Sequence, residues 1–201
     1  VENINLISKY GSSEKNIQLD KLGQNNWNNR KNAVKKKIKD LANSLISIAA
    51  KREMARTYKM NVDHIKLQEF ARGFKFNETE DQITCLNEVF NDLSSAKPMD
   101  RLICGDVGFG KTEIALRASF ISSLNNFKVL IIVPTTLLAN QHYKNFKERL
   151  HNYTNVELIT RNTTKSNKSN ILKKFESNKS NILIGTHALL SLKFSDINLG
   201  L

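Results

Sequence analysis

Asp100-Arg101-Leu102-Ile103-Cys104-Gly105-Asp106-Val107-Gly108-Phe109-Gly110-Lys111-Thr112 reads as a short apolar strand, a glycine-rich turn and a helix start. The segment from Gly105 to Thr112 fits G-x-x-x-x-G-K-[ST], the phosphate-binding P-loop, with a strand expected before it and a helix after it. Gly105, Gly108 and Gly110 permit backbone conformations and close approaches that a Cβ forbids, so successive N–H groups can ring a phosphate. A helix beginning near Lys111 points its positive end at the same anion. Lys111 is placed to reach the β- and γ-phosphates, and the Thr112 hydroxyl to ligate Mg²⁺. The plainer alternative is a glycine-rich strand-to-helix turn that binds nothing, and the surrounding pattern favours the phosphate site.

The chain has 201 residues, enough for one domain with an appendage or two small ones. Hydrophobic residues make up 40%, an ordinary figure for a packed core, and no apolar run approaches the roughly 20 residues of a membrane span. No signal-peptide pattern opens the sequence. Two cysteines, Cys85 and Cys104, are too few for a disulfide framework and are expected to be reduced, buried thiols of a cytoplasmic protein. His64, His142, His151 and His187 are dispersed and form no zinc pattern with the cysteines. The formal net charge of +12 favours a polyanionic partner, nucleic acid before a membrane, because no amphipathic anchor with exposed aromatics is present. A lysine- and asparagine-rich composition alone is the competing explanation of that charge.

Around the P-loop the elements alternate. Upstream, Val1–Ile7 alternates like a strand, Ser8–Ser13 is turn-forming and Ile17–Leu19 is a second short strand, too little to bury a core. From Trp27 to about Tyr58 runs a basic helix with one apolar stripe, Val34, Ile38, Leu41, Leu45 and Ile48. That stripe is expected to pack on a neighbouring domain, and its lysines to be a solvated face. A weaker helix spans Met60 to Gly73. Thr79 is a candidate N-cap for a helix carrying Ile83, Leu86, Val89, Phe90 and Leu93, with Glu80 and Asp81 in its first turn. Phe76 and Gln82, just upstream of the P-loop, could sandwich an adenine and read its amide edge; a core aromatic and an exposed glutamine are the alternative.

Downstream the pattern predicts a helix from Lys111 to Leu124 and a strand over Val129–Val133, buried on both faces. A helix over Leu137–Leu150, a strand over Val156–Ile159, a helix over Asn167–Glu176 and a strand over Ile182–Ile184 follow. This is an α/β chain with a parallel sheet. Ligands of such sheets sit at the carboxyl ends of strands, where the P-loop, Pro134-Thr135-Thr136 and Gly185-Thr186-His187 all fall. Thr136 could serve as a helix N-cap, and His187 as a satisfied structural histidine.

Taken together these pieces resemble the first motor domain of superfamily 2 helicases and translocases. Gly105–Thr112 resembles motif I, Val133–Ala139 with Gln141 resembles motif Ia, and Gly185–Leu190 resembles motif Ib. Their particular spelling resembles that of the transcription-repair coupling factor family and its RecG-type relatives. Gln18–Gly23 with Trp27, and Glu78-Thr79-Glu80-Asp81-Gln82, favour the coupling factors. The resemblance implies a P-loop, RecA-like parallel sheet with flanking helices, incomplete here, preceded by a long basic helix and a short β remnant. Residues 1–25 would be the end of an RNA-polymerase-interaction domain, 26–72 a connecting helical segment, and 73–201 a truncated first motor domain.

Residue by residue, the resemblance implies ATP and Mg²⁺ as cofactors. Gly105, Asp106, Val107, Gly108, Phe109, Gly110, Lys111 and Thr112 would hold the phosphates, Lys111 and Thr112 being catalytic and Thr112 the metal ligand. Phe76 and Gln82 would hold the base. Pro134, Thr135, Thr136, Gln141, Gly185, Thr186 and His187 would lie at the backbone of double-stranded DNA, positioning without reading sequence. RNA polymerase and excision-repair proteins are the implied partners, with no membrane. An Asp-Glu pair and a second lobe with an arginine finger belong to the family's pattern beyond Leu201, so ATP binding without useful hydrolysis is expected of these residues alone. A non-hydrolysing, nucleotide-dependent nucleic-acid-binding module is the second reading, and a RecG-type fragment the third.

Overall fold

A computed structural model describes residues 26–201 apart from 178, 193, 195 and 196. The two N-terminal strands and the polymerase-facing remnant lie outside the described residues. The chain divides into two compact units, 1–54 and 55–201. In the first, α1 spans Asn26–Met54, and the stripe of Val34, Ile38, Leu41, Leu45 and Ile48 is exposed along its length. No helix among the described residues is long and apolar enough to cross a membrane.

The second unit begins with extended chain. Thr57 and Met60 donate backbone hydrogen bonds to Ala96 and Leu93, and Asn61 exchanges two bonds with the Asn125 side chain. Residues 55–72, read from their helical pattern as part of the connecting segment, pack in this unit, with Met60, Leu67 and Phe70 in its core. Helix α2, His64–Ala71, starts later than expected because Asp63 caps it, accepting from Ile65 N and Lys66 N. Helix α3, Glu80–Ser94, opens on a full capping box: the Thr79 hydroxyl accepts from Gln82 N, and the Gln82 side chain accepts from Thr79 N.

Helix α4, Lys111–Leu124, leads through Asn126, in the left-handed region at φ 60°, to strand β1, Val129–Ile132. Helix α5 (Thr136–Leu150), strand β2 (Val156–Ile159), helix α6 (Lys165–Glu176) and strand β3 (Ile182–Gly185) follow, then a 3-10 turn, His187–Ser191. The sheet is parallel with order β1-β3-β2, so β3 inserts between its predecessors. Its side chains alternate between two cores. Ile182 and Ile184 join Phe120, Phe146 and Leu150, while Leu183 joins Ile159, Phe175 and Leu189.

Two expectations are corrected here. The strand buried on both faces is β3, with every residue buried; in β1, Leu130 and Ile131 are half-buried and Ile132 is exposed. Strand β3 is central and has a core packed on each of its faces, whereas β1 is flanked on its outer edge only by the short run 198–201. The apolar triplet Leu102-Ile103-Cys104 forms no strand; Leu102 is 87% exposed and Cys104 is exposed rather than buried. The edge of β1 away from β3 is taken by residues 198–201: Lys128 N donates to Asn198 O, Leu130 N to Leu201 O, and Gly200 N to Lys128 O. Residues 102–104 therefore have no ladder partner among the described residues, and Arg101, paired with Glu88 and Asp92 on α3, anchors their start.

Candidate functional site: a phosphate loop beside the strand ends

The P-loop enters α4 through two left-handed glycines, Gly108 at φ 87° and Gly110 at φ 71°. Gly110 is also the helix N-cap and supplies no side chain to it, which leaves the first N–H groups of a 14-residue helix available to an anion. A Cβ on Gly110 would lie 2.5 Å from Gln82 Nε2, so the position admits glycine on two counts. Lys111 folds back over its own loop, its ammonium donating to Gly105 O at 2.7 Å and Asp106 O at 2.6 Å. Those carbonyls take the acceptor role that phosphate oxygens would compete for. Asp106, Val107 and Phe109 form the exposed rim, and Thr112 is half-buried just inside it.

Next to the loop lies a cleft of about 240 Å³, whose wall includes Phe74, Phe76, Gly110, Thr112, Glu113 and Arg149. Phe76 is largely exposed and meets Phe74 edge-on at 5.6 Å. Gln82 bridges cap and loop: its oxygen accepts from Thr79 N at 3.0 Å and its Nε2 donates to Phe109 O at 2.8 Å. One N–H and one lone pair of the amide remain beyond those two bonds. Gln82 is thus neither a free surface residue nor spent, and the capping box fixes its direction.

The third grouping is the carboxyl edge of the sheet. Ile132, Gly185 and Ile159 are in register, so the residues that follow them come out side by side. Gly185 is required there, because a Cβ would meet Ile159 O at 2.3 Å. Thr135, not Thr136, caps α5, its hydroxyl accepting from Leu138 N at 3.2 Å; the side chain one residue earlier already satisfies the orphan donor. Thr186 caps the 3-10 turn without a side-chain bond, and His187 and Pro134 are exposed. Gln141 stands exposed on the second turn of α5.

Two sets of residues escaped the sequence reading. Thr160 and Arg161 leave β2 at the level of Val133 and Thr186, with Thr163 bonded to Thr160 N and Thr164 capping α6. The strand-end rule applied to β2, as it was to β1 and β3, would have found them. The other set is ionic. Glu113, buried in the first turn of α4, accepts from Arg117 Nε at 2.9 Å and from both terminal nitrogens of Arg149, at 3.0 and 3.1 Å. Arg117 reaches on to Glu78 at 2.5 Å, and that hydrogen bond foremost holds the Glu78 carboxyl below the ordinary glutamate value. The signal available was a Glu-Arg pair four apart inside an otherwise buried helix.

A parallel α/β sheet with a glycine-rich turn opening α4 defines a fold class, and the comparisons agree with it. The family model for DEAD/DEAH box helicases matches residues 79–199, more than half of the chain, and the chain belongs to that family. Along its whole length it is similar to the transcription-repair-coupling factors of Borreliella burgdorferi (44% identical, 100% of this chain) and Escherichia coli (41%, 99% of this chain). It spans 18% of the length of each of those relatives. A solved structure of RecG bound to a three-way DNA junction superposes with a TM-score of 0.70 at 33% identity, over 76% of this chain and 21% of that one.

Proposed function

We propose that this chain is the nucleotide-binding first lobe of an ATP-dependent double-stranded DNA translocase that acts in transcription-coupled repair. The observation that carries the reading is the loop from Gly105 to Thr112, with two left-handed glycines, an uncapped helix start and a lysine held across it. In this reading Lys111 would exchange its two carbonyl acceptors for phosphate oxygens of the nucleotide, and the Thr112 hydroxyl would help to hold Mg²⁺. Bound Mg²⁺ supplies charge neutralisation at the transferring phosphoryl group. Phe76 covers one face of the base, and Gln82 offers its remaining N–H and lone pair to the base edge. Pro134, Thr135, Thr136, Gln141, Gly185, Thr186 and His187 bear on phosphates of the duplex, joined by Thr160 and Arg161. Displacing a stalled RNA polymerase, contact with it through residues 1–25, and hand-over to excision-repair proteins are proposed on the likeness to the coupling factors.

Within residues 188–201 the only acidic side chain is Asp196, so no Asp-Glu pair is on hand to orient water. We accordingly expect these 201 residues alone to bind ATP without efficient turnover. The test is binding of a fluorescent ATP analogue to the chain and to Lys111→Ala, followed by ATPase assays with and without duplex DNA. Binding that Lys111→Ala abolishes, with no DNA-stimulated turnover, supports the reading. Equal binding by the variant, or robust stimulated hydrolysis, overturns the corresponding part.

A further inference from the structure

Helix α5 starts at the strand-end edge, where Thr135 caps it, and ends one element away from the P-loop. Its 15 residues span about 22 Å as a rigid rod. Arg149, in its last turn, grips Glu113 with two nearly equal hydrogen bonds, the fork-on-carboxylate geometry that fixes direction as well as distance. The same guanidinium donates to Phe70 O and lies 4.8 Å from the Phe70 ring centroid, so it has little freedom of its own. Glu113 follows Thr112 directly. A tilt or shift of α5 at the edge must therefore either pull the first turn of α4 or break a buried ion pair.

The chain of contacts continues to the other side of the loop. Glu113 binds Arg117, Arg117 binds Glu78, and Glu78 precedes the Thr79–Gln82 capping box whose amide holds Phe109 O. The second half of the P-loop, from Phe109 to Thr112, is thus tied through Gln82 and through Glu113 to one cluster of two carboxylates and two guanidiniums. Within a buried ion cluster each member needs the others, since an unpaired charge there is strongly unfavourable. Such a cluster shifts as a unit rather than stretching.

We propose that Glu113, with Arg149, Arg117 and Glu78, is the positioning cluster that makes nucleotide affinity and duplex-DNA affinity interdependent. The inference rests on the functional reading above, which places nucleotide at the P-loop and DNA at the strand ends. It adds the residues through which one site reports to the other.

The test uses the 201-residue chain and measures the dissociation constant of a fluorescent ATP analogue with and without a saturating short duplex. Linkage requires the same factor when duplex affinity is measured with and without nucleotide. For the wild-type chain the expected factor is about five-fold or more. Arg149→Lys keeps the charge and loses the fork, and its factor is expected to fall below about two-fold. Glu78→Gln, at the solvent end of the cluster, is expected to lose part of it. Glu157→Gln, which removes only the pair with Lys174 on α6, is expected to keep all of it. Thermal melts accompany each variant, and if Arg149→Lys does not fold, the Glu78→Gln factor decides. A folded Arg149→Lys chain with the wild-type factor overturns the proposal. Wild-type chain that binds both ligands independently overturns it too, and leaves the functional reading standing. Wild-type chain that binds neither ligand removes both.

Discussion

Leu102-Ile103-Cys104-Gly105 and Ile182-Leu183-Ile184-Gly185 are nearly the same sentence: three apolar residues and a glycine, each followed by a turn. One is the centre of the sheet, with Leu183 0% exposed; the other is extended chain, with Leu102 87% exposed. Propensity does not separate them. A strand needs at least one neighbour to complete its backbone hydrogen bonds; β3 has β1 on one side and β2 on the other, and residues 102–104 have none among the described residues. Residues 102–104 have α3 at their start, through Arg101, and α4 at their end. They are positioned by their flanks and by Ile103, which packs against the main core. The lesson extends to the glycines: Gly185 is pinned by packing, Gly105 by nothing nearer than 3.7 Å.

The sharpest way to break this comparison is to add one methyl group at each glycine. Gly185→Ala forces a Cβ against Ile159 O and the Leu189 side chain, and is expected to cost about 3 kcal/mol, read from the urea midpoint. Leu183→Ala empties a site in the core shared with Phe175 and Leu189, and about 2–5 kcal/mol should go with it in the same assay. If either variant melts like the parent chain, β3 is not the centre of the sheet.

A smaller effect tests the far edge of β1. Lys128 is buried, donates to Ser180 O at 2.8 Å and Asn181 Oδ1 at 3.2 Å, and stands 5.2 Å from the Phe175 ring centroid. Burial holds its ammonium below the ordinary lysine value of 10.5. Between that depressed value and 10.5 the unfolded chain keeps a proton that the folded chain has lost, so stability should rise with pH through this window. Below the depressed value both states are protonated and the slope vanishes. Lys128→Met should abolish the rise, with a cost of about 1–3 kcal/mol at neutral pH from the Ser180 carbonyl left without its donor. Denaturant titrations across alkaline pH would show no such rise in the parent chain if the lysine were solvated instead.

The smallest effects belong to the other member of the pair. Leu102→Ala should change stability by less than about 0.5 kcal/mol. Gly105→Ala should be similarly mild, because its Cβ meets only ordinary contacts with Lys111 and Phe109. A large loss at Leu102 would mean that 102–104 are packed as a strand after all.

Much of this was legible in the sequence. Thr79 was legible as an N-cap and it caps α3; that Gln82 closes a capping box with it emerged only from the structure. The alternation of strands and helices gave the α/β class, and the glycine spacing gave a tight turn into α4, where Gly108 and Gly110 both lie in the left-handed region. Pairing order was not legible, since period-2 apolar runs look alike whether central or marginal. Nor was the full Glu113 cluster, whose members lie as far apart as Glu78 and Arg149 and meet only in the folded chain. Thr135 took the cap expected at Thr136 because a one-residue shift changes nothing that periodicity records.

The most direct test of the phosphate site is amide hydrogen exchange with and without a non-hydrolysable ATP analogue and Mg²⁺. The account predicts new protection confined to the amides from Gly108 to Thr112, with Ile182 to Gly185 slow in both conditions. Saturating nucleotide that leaves the 108–112 amides as fast as before, or that protects another segment instead, would contradict it.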